Sequence, residues 1–241
     1  YSIDGNDALF TMIETVSMSG ASLPPYLIYN GKFQDFNDIH GKYPGNFPGW
    51  KFSSSSSGWP SDKTADSWFT DHFLPLTNAT AGGAHRALIV DTHISHFSSN
   101  FLKLAAENKV LLLFLPSEVS HFLQPLDSVP LFHNFVNELA KVSQKKNFST
   151  KIKDTDGGAD FSSTNSLDLL RIVKNARSLS YQSPENIAAG WEKTGLSPLD
   201  RDIVKKTIID QLYPLVEAKK QVIHPLSVYD GFSDTPIRKL F

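Results

Sequence analysis

Two aspartates stand where carboxylates can do chemistry. Asp91 follows the unbroken apolar run Ala87-Leu88-Ile89-Val90, and ligands of α/β folds bind at the carboxyl ends of strands. It opens Asp91-Thr92-His93-Ile94-Ser95-His96, a stretch carrying two imidazoles. Asp127 closes Ser120-His121-Phe122-Leu123-Gln124-Pro125-Leu126-Asp127, shortly after a second apolar run and 36 positions beyond Asp91. Carboxylates at the ends of neighbouring elements can share a hard divalent cation such as Mg²⁺ or Mn²⁺. Two such ions about 3.5–4 Å apart activate an attacking oxygen and stabilise a leaving one in phosphodiester cleavage. Plainer roles stay open for both groups. Asp91 fits a polar turn at a strand end, with its histidines capping backbone groups. Asp127 fits the cap of a helix near residue 131, where the helix dipole favours an acid.

The elements around these acids follow from apolar spacing. Residues 9–18, rich in Thr, Ile, Val and Phe, predict a strand punctuated by Gly20 and Pro24-Pro25. Tyr26-Leu27-Ile28-Tyr29 predicts its antiparallel partner, closed by Asn30-Gly31. Glu14 on the first of these strands reads as exposed. Residues 33–63, dense in Gly, Pro, Asn and Ser, predict a long irregular loop. Trp68, Phe69, Phe73 and Leu74 recur at helical spacing over 66–74. Residues 87–90 and 110–115 predict two buried strands flanking a helix over 97–108. Phe132, Phe135, Val136, Leu139 and Val142 share one face of a further helix. A hairpin followed by strand–helix–strand–helix predicts an α/β fold with a mixed sheet. Residues 1–145 form this core, and 146–164, polar with Gly157-Gly158, predict a linker. Residues 165–212 predict a C-terminal helical extension, in which Ser183 caps a helix opened by Pro184 and stopped by Gly195. Residues 213–241 read as a tail.

Composition narrows the partners. The chain has 241 residues, 40% hydrophobic, enough for one large domain or a domain with a small appendage. Its net charge of −2 excludes a wholly basic nucleic-acid binder, so any DNA contact must come from a local patch. The absence of cysteine excludes disulfides and thiolate metal sites. No run of about 18 apolar residues predicts a membrane span, and no signal peptide is visible.

The order of short blocks resembles the DDE endonuclease domain of pogo, Tigger, Jerky and CENP-B-like transposases of the mariner superfamily. The blocks are Ser19-Gly20, Leu23-Pro24-Pro25, Gly31-Lys32 and Gly58-Trp59, then Arg86 running into Asp91 with His93, Ser95 and His96. Leu115-Pro116, Ser120-His121 and Gln124-Pro125-Leu126-Asp127 follow, and last Ala189-Gly190-Trp191 and Gly195-Leu196-Ser197-Pro198. Each is weak alone; their order and the gap between the aspartates are specific.

The resemblance implies an RNase H-like mixed sheet flanked by helices, with Asp91 and Asp127 as the second and third catalytic, metal-holding aspartates. His93, His96, His121 and Gln124 would orient these carboxylates or meet phosphate oxygens. The family's first aspartate lies on a strand expected ahead of Tyr1, so Mg²⁺ or Mn²⁺ is expected to bind this chain weakly. The implied activity is DNA cleavage and strand transfer in the nucleus. DNA is engaged mainly through a helix-turn-helix region outside this chain, and a homodimer is compatible with the family. The alternative is a domesticated copy that binds DNA or dimerises without cutting. Two departures bear on that choice: Thr92 stands where the family has Gly, and Ser117-Glu118-Val119 where it has Pro-His-Thr.

Overall fold

The computed structural model describes residues 2–3, 10–30, 45–56, 60–91, 98–115, 120–145 and 166–210. Strand β1 (Ser2–Ile3) lies antiparallel to β2 (Phe10–Ile13), which pairs antiparallel with β3 (Tyr26–Asn30) from Phe10↔Tyr29 to Ile13↔Tyr26. The β2–β3 hairpin turns at Ser17–Ala21, where Gly20 adopts φ +85°, a conformation that costs glycine nothing.

A fourth strand, β4 (Lys51–Ser55), runs parallel to β3 in the register Tyr26↔Lys51 to Asn30↔Ser55. This corrects the expectation of an irregular loop through residue 63. Serine is a poor strand former by itself, but Trp50 and Phe47 anchor the start of β4 in the core. The Tyr26 and Tyr29 side chains also hydrogen-bond Ser53 and Ser54. Strands β5 (Arg86–Asp91) and β6 (Val110–Leu115) form a separate parallel pair, joined by helix α3 (Ser99–Glu107).

Helices cover both faces of the larger sheet. Helix α1 (Asp62–Trp68) continues through a wider turn, Phe69–Phe73, into α2 (Leu74–Ala81). Tyr26 and Ile28 of β3 pack with Trp68, Phe69, Phe73, Phe101 and Val90 on one side. The Phe69 and Phe101 rings lie 4.7 Å apart, locking α1–α2 to α3. The alternate residues Leu27 and Tyr29 face a second core with helices α5 (Asn134–Lys145), α6 (Ser166–Ser178) and α7 (Pro184–Lys193). Period-2 alternation in β3 therefore divides the interior in two. Helices α6 and α7 contribute Leu169, Leu170, Val173, Ile187 and Trp191 to the same core as β2 and β3. The C-terminal helices thus pack directly on the sheet. Residues 211–241, which hold the expected tail, and 146–165, which hold the expected linker, lie outside the described residues.

Two expectations about burial are corrected. Strand β6 is not buried on both faces: Leu111 is 59% exposed, Leu113 43% and Phe114 46%. An apolar run shows that a strand can be covered on both faces, not that it is. Glu14 is buried, not exposed, and its carboxylate accepts two hydrogen bonds from buried Arg177 of α6, at 2.5 and 3.0 Å.

His72, in the wide turn after α1, is also buried, and its Nε2 bonds the Pro24 carbonyl at 2.6 Å. Burial lowers its pKa below the ordinary 6.5, with the positive charges of Lys51 and Arg177 adding to the effect against the pull of the Pro24 bond. The unfolded chain takes the proton near pH 6.5, while the folded chain resists it. The His72 contribution is therefore complete above that pH and declines as pH falls toward the lower folded value. Urea denaturation at pH 7.5, 6.5 and 5.5 should show this loss of stability on acidification, and His72→Gln should flatten it. An unchanged slope in the variant would count against His72 as the cause.

Candidate active site

Asp91 is the last residue of β5 and pairs in register with Leu115, the last of β6, so both chains leave the sheet at the same carboxyl end. The side chains of Asp91 and His121, and residues His93 and His96 entirely, lie outside the described residues. The start of α3 is fixed in place. Ser98 caps α3, its Oγ accepting from the Phe101 N–H at 3.0 Å. The Asp66 carboxylate of α1 in turn accepts from Ser98 Oγ at 3.2 Å and from Asn100 Nδ2 at 2.7 Å. Asp66 and Asn100 went unnoticed in the sequence, where nothing local marks a bond between residues more than 30 positions apart.

Asp127 sits on a different kind of element. Helix α4 (Ser120–Leu123) gives way at Gln124 to a single 3₁₀ turn, Pro125–Asp127. The Asp127 N–H donates to the Gln124 carbonyl at 3.0 Å, and both side chains are half-buried. The next turn, Val129–His133, starts from Ser128, so the N-cap position belongs to Ser128 and Asp127 lies one residue ahead of it. Ser128 is buried, and its Oγ donates to the Pro125 carbonyl at 2.5 Å, closing the 3₁₀ turn.

Two contacts set this turn against the rest of the fold. Leu123 packs with Leu115 in a small cluster that also takes Val204 and Ile208 of helix α8 (201–210). The residue paired with Asp91 therefore touches the residue four positions ahead of Asp127. On the other side, α7 approaches so closely that a Cβ on Gly190 would lie 2.8 Å from Ser128 Oγ and 3.1 Å from the Pro125 carbonyl oxygen. Only a glycine admits this approach, which gives the Ala189-Gly190-Trp191 block a physical purpose.

Carboxylate and amide oxygens are the donors that Mg²⁺ and Mn²⁺ prefer, so Asp127 and Gln124 fit such an ion chemically. Among the described residues, no group of three His, Cys, Asp or Glu side chains comes together as a metal cage.

Helices on both faces of a mixed sheet, with acid-bearing segments leaving the carboxyl end of a parallel strand pair, define an α/β domain consistent with the RNase H-like nucleases. The chain belongs to the DDE superfamily endonuclease family, whose model matches residues 6–191. It is 30% identical over 199 residues to a protein named MFS-type transporter clz9 from Cochliobolus lunatus, covering 80% of this chain. That stretch is 19% of the relative, so the chain spans about a fifth of its length. Among the described residues no helix is long and apolar enough to cross a membrane. No solved structure matches the chain.

Proposed function

We propose that this chain is the core of a pogo, Tigger, Jerky or CENP-B-like transposase domain that cuts DNA and transfers the strand, with Asp91 and Asp127 as its metal-holding carboxylates. The supporting observation is the link from Asp91 through its partner Leu115 to Leu123, just ahead of the Asp127 turn. DDE endonucleases work with divalent metals, and Mg²⁺ or Mn²⁺ held here supplies electrostatic activation of the attacking oxygen and neutralises the leaving one. The chain's own groups do the rest. Gln124 holds the Asp127 turn through its carbonyl, and His93, His96 and His121 orient the carboxylates or meet phosphate oxygens.

On this reading, residues 1–145 with the helices of 165–212 packed on them form the nuclease body, 146–164 link them and 213–241 trail. The protein works in the nucleus, gains most of its DNA affinity from a region outside this chain, and pairs with a second copy. A domesticated, non-cutting module is the second reading. It is favoured by Thr92, whose β-branch resists the close backbone approach a glycine allows, and by Glu118, an acid in the block where the family carries Pro-His-Thr.

Titrating the chain with Mn²⁺ while following amide resonances tests the metal assignment. Broadening should begin at Leu115, Leu123, Gln124 and Asp127, with weak affinity on the order of 10⁻³ M, as for a small number of oxygen ligands. It should vanish in the Asp91→Ala, Asp127→Ala double variant. Broadening that starts elsewhere, or that persists in the double variant, would remove these residues from the site.

A further inference from the structure

Strand β6 carries an edge that nothing in its own sequence protects. It reads Val110-Leu111-Leu112-Leu113-Phe114-Leu115, six apolar residues without a charge or a proline. Edge strands are ordinarily kept from pairing by lysine, proline, a bulge or a covering element. Among the described residues β5 is the one strand paired with β6, in unbroken register from Arg86↔Val110 to Asp91↔Leu115, and the opposite side of β6 carries no ladder. Apolar side chains are exposed beside that edge on both faces. Leu111 and Leu113 are exposed on the face where Leu115 meets Leu123, and Phe114 on the face where Val110 joins the core that holds Phe101.

An occupant must satisfy backbone and side chains together. Its backbone must extend a ladder, so it is a strand. Its side chains must be apolar on both faces, since a polar or charged group buried there without a partner is costly. A second copy of β6 meets both conditions. Residues directly opposite in an antiparallel pair share a face. With a two-fold axis at Leu112, Leu111 of each copy meets Leu113 of the other, exposed leucine against exposed leucine. Val110 meets Phe114 on the other face. No charge of β6 enters the contact, and a net charge of −2 sets little repulsion between copies. Such a contact is isologous and closes at two copies.

We propose that β6 is the interface between two copies of this chain, paired antiparallel about Leu112 into one sheet of order β5-β6-β6-β5. This gives a surface to the pairing in the proposed function; it rests on that part of the reading and not on the metal assignment. Six residues at about 3.3 Å give an edge roughly 20 Å long. With side chains on both faces, each copy buries on the order of 400 Å², in the range of weak, reversible association. The carboxyl ends of the two β5 strands then face opposite ways. At about 4.8 Å between strands and about 3.3 Å per residue, the two Asp91 backbones lie roughly 25 Å apart in a flat sheet. The contact thus leaves one candidate site at each end of the joined sheet.

Sedimentation velocity up to about 200 μM should show a reversible dimer for the wild-type chain. Leu113→Lys puts a charge at an exposed edge position and should weaken the dimer at least ten-fold. Leu179→Lys, also exposed but just past α6, should dimerise like wild type. Circular dichroism checks both folds. Because the chain has no cysteine, Leu112→Cys tests the register independently. Directly opposite Cα atoms lie about 4.5–5.5 Å apart, within disulfide reach, so air oxidation should give a covalent dimer. Leu111→Cys, whose counterpart lies two residues out of register at about 8 Å, should give far less. A monomeric wild type at the highest concentration, as expected if another part of the same chain took the edge, would overturn the interface. The Mn²⁺ titration would still decide the metal assignment separately. A dimer unmoved by Leu113→Lys, or crosslinked at Leu111 as readily as at Leu112, would overturn it too and move the pairing to another surface.

Discussion

Asp91→Ala and Asp127→Ala are each expected to lower Mg²⁺-dependent DNA cleavage about a thousand-fold or more in the longest natural form of the protein. The magnitude follows from the charge these groups carry. Metal-held electrostatic activation contributes several kcal/mol at a phosphoryl centre, and each 1.36 kcal/mol is a factor of ten in rate. Stability should move by about 1 kcal/mol or less. Asp91 ends a strand whose pairing runs through the backbone, and the N-cap of the turn after Asp127 is Ser128. Nicking of supercoiled plasmid, read beside thermal melts of each variant, separates the two effects. Cleavage that survives both substitutions would remove Asp91 and Asp127 from the chemistry. Lost cleavage with a large drop in melting temperature would instead make them structural.

The support for Asp127 explains why a site of this kind needs so much chain behind it. A 3₁₀ turn of three residues has little rigidity of its own. Here it is closed by Ser128, pressed from one side by Gly190 of α7 and reached on the other through Leu123 and Leu115. Asp91 is fixed differently, by strand register, and the start of α3 is held by the Asp66–Ser98–Asn100 bonds. The turn that carries Asp127 is thus held at two points by elements distant in sequence, the condition for keeping its side chain in a fixed place.

What the sequence made legible follows the same division between local and distant causes. Strands β3, β5 and β6 and helices α3, α6 and α7 announce themselves by apolar period, and Ser183 and Gly195 mark where α7 starts and stops. The position of Asp91 at a strand end was readable because the apolar run stops there. Strand β4 was not, since its serines carry no strand signal and its pairing depends on β3, more than 20 residues away. The exposed face of β6 was equally hidden, because Leu111 and Leu113 have the same composition whether covered or bare. Asp66 looked like any acid on a helix until α3 was packed beside it.

Arg177→Met is expected to be the most destabilising single change in the described core, at about 3–5 kcal/mol. Arg177 and Glu14 each have side chains only 1% exposed and lie 163 positions apart in sequence. The guanidinium donates to both Glu14 oxygens and also to the Leu23 carbonyl, so it ties the chain leaving β2 and the chain entering β3 to α6. Burial raises the Glu14 pKa, and the charge and hydrogen bonds of Arg177 offset part of that. Without the guanidinium the offset is gone, and the cost arises from charging a carboxylate in the core with no partner. The variant should therefore keep Glu14 protonated. A folded pKa raised above the ordinary 4.5 favours folding fully below that value, and the benefit is lost as pH rises through the folded value. Urea melts of Arg177→Met should accordingly show stability falling between pH 5 and pH 8, steeper than in the wild type. The double variant Glu14→Leu, Arg177→Met removes both charges and should recover most of the loss, as paired burial of charge is worth little against apolar packing. It should stop short of wild type by about 1–3 kcal/mol, because the Leu23 carbonyl has lost its donor. If the double variant were as unstable as the single one, the loss would lie in the packing of the arginine stem and not in its charge.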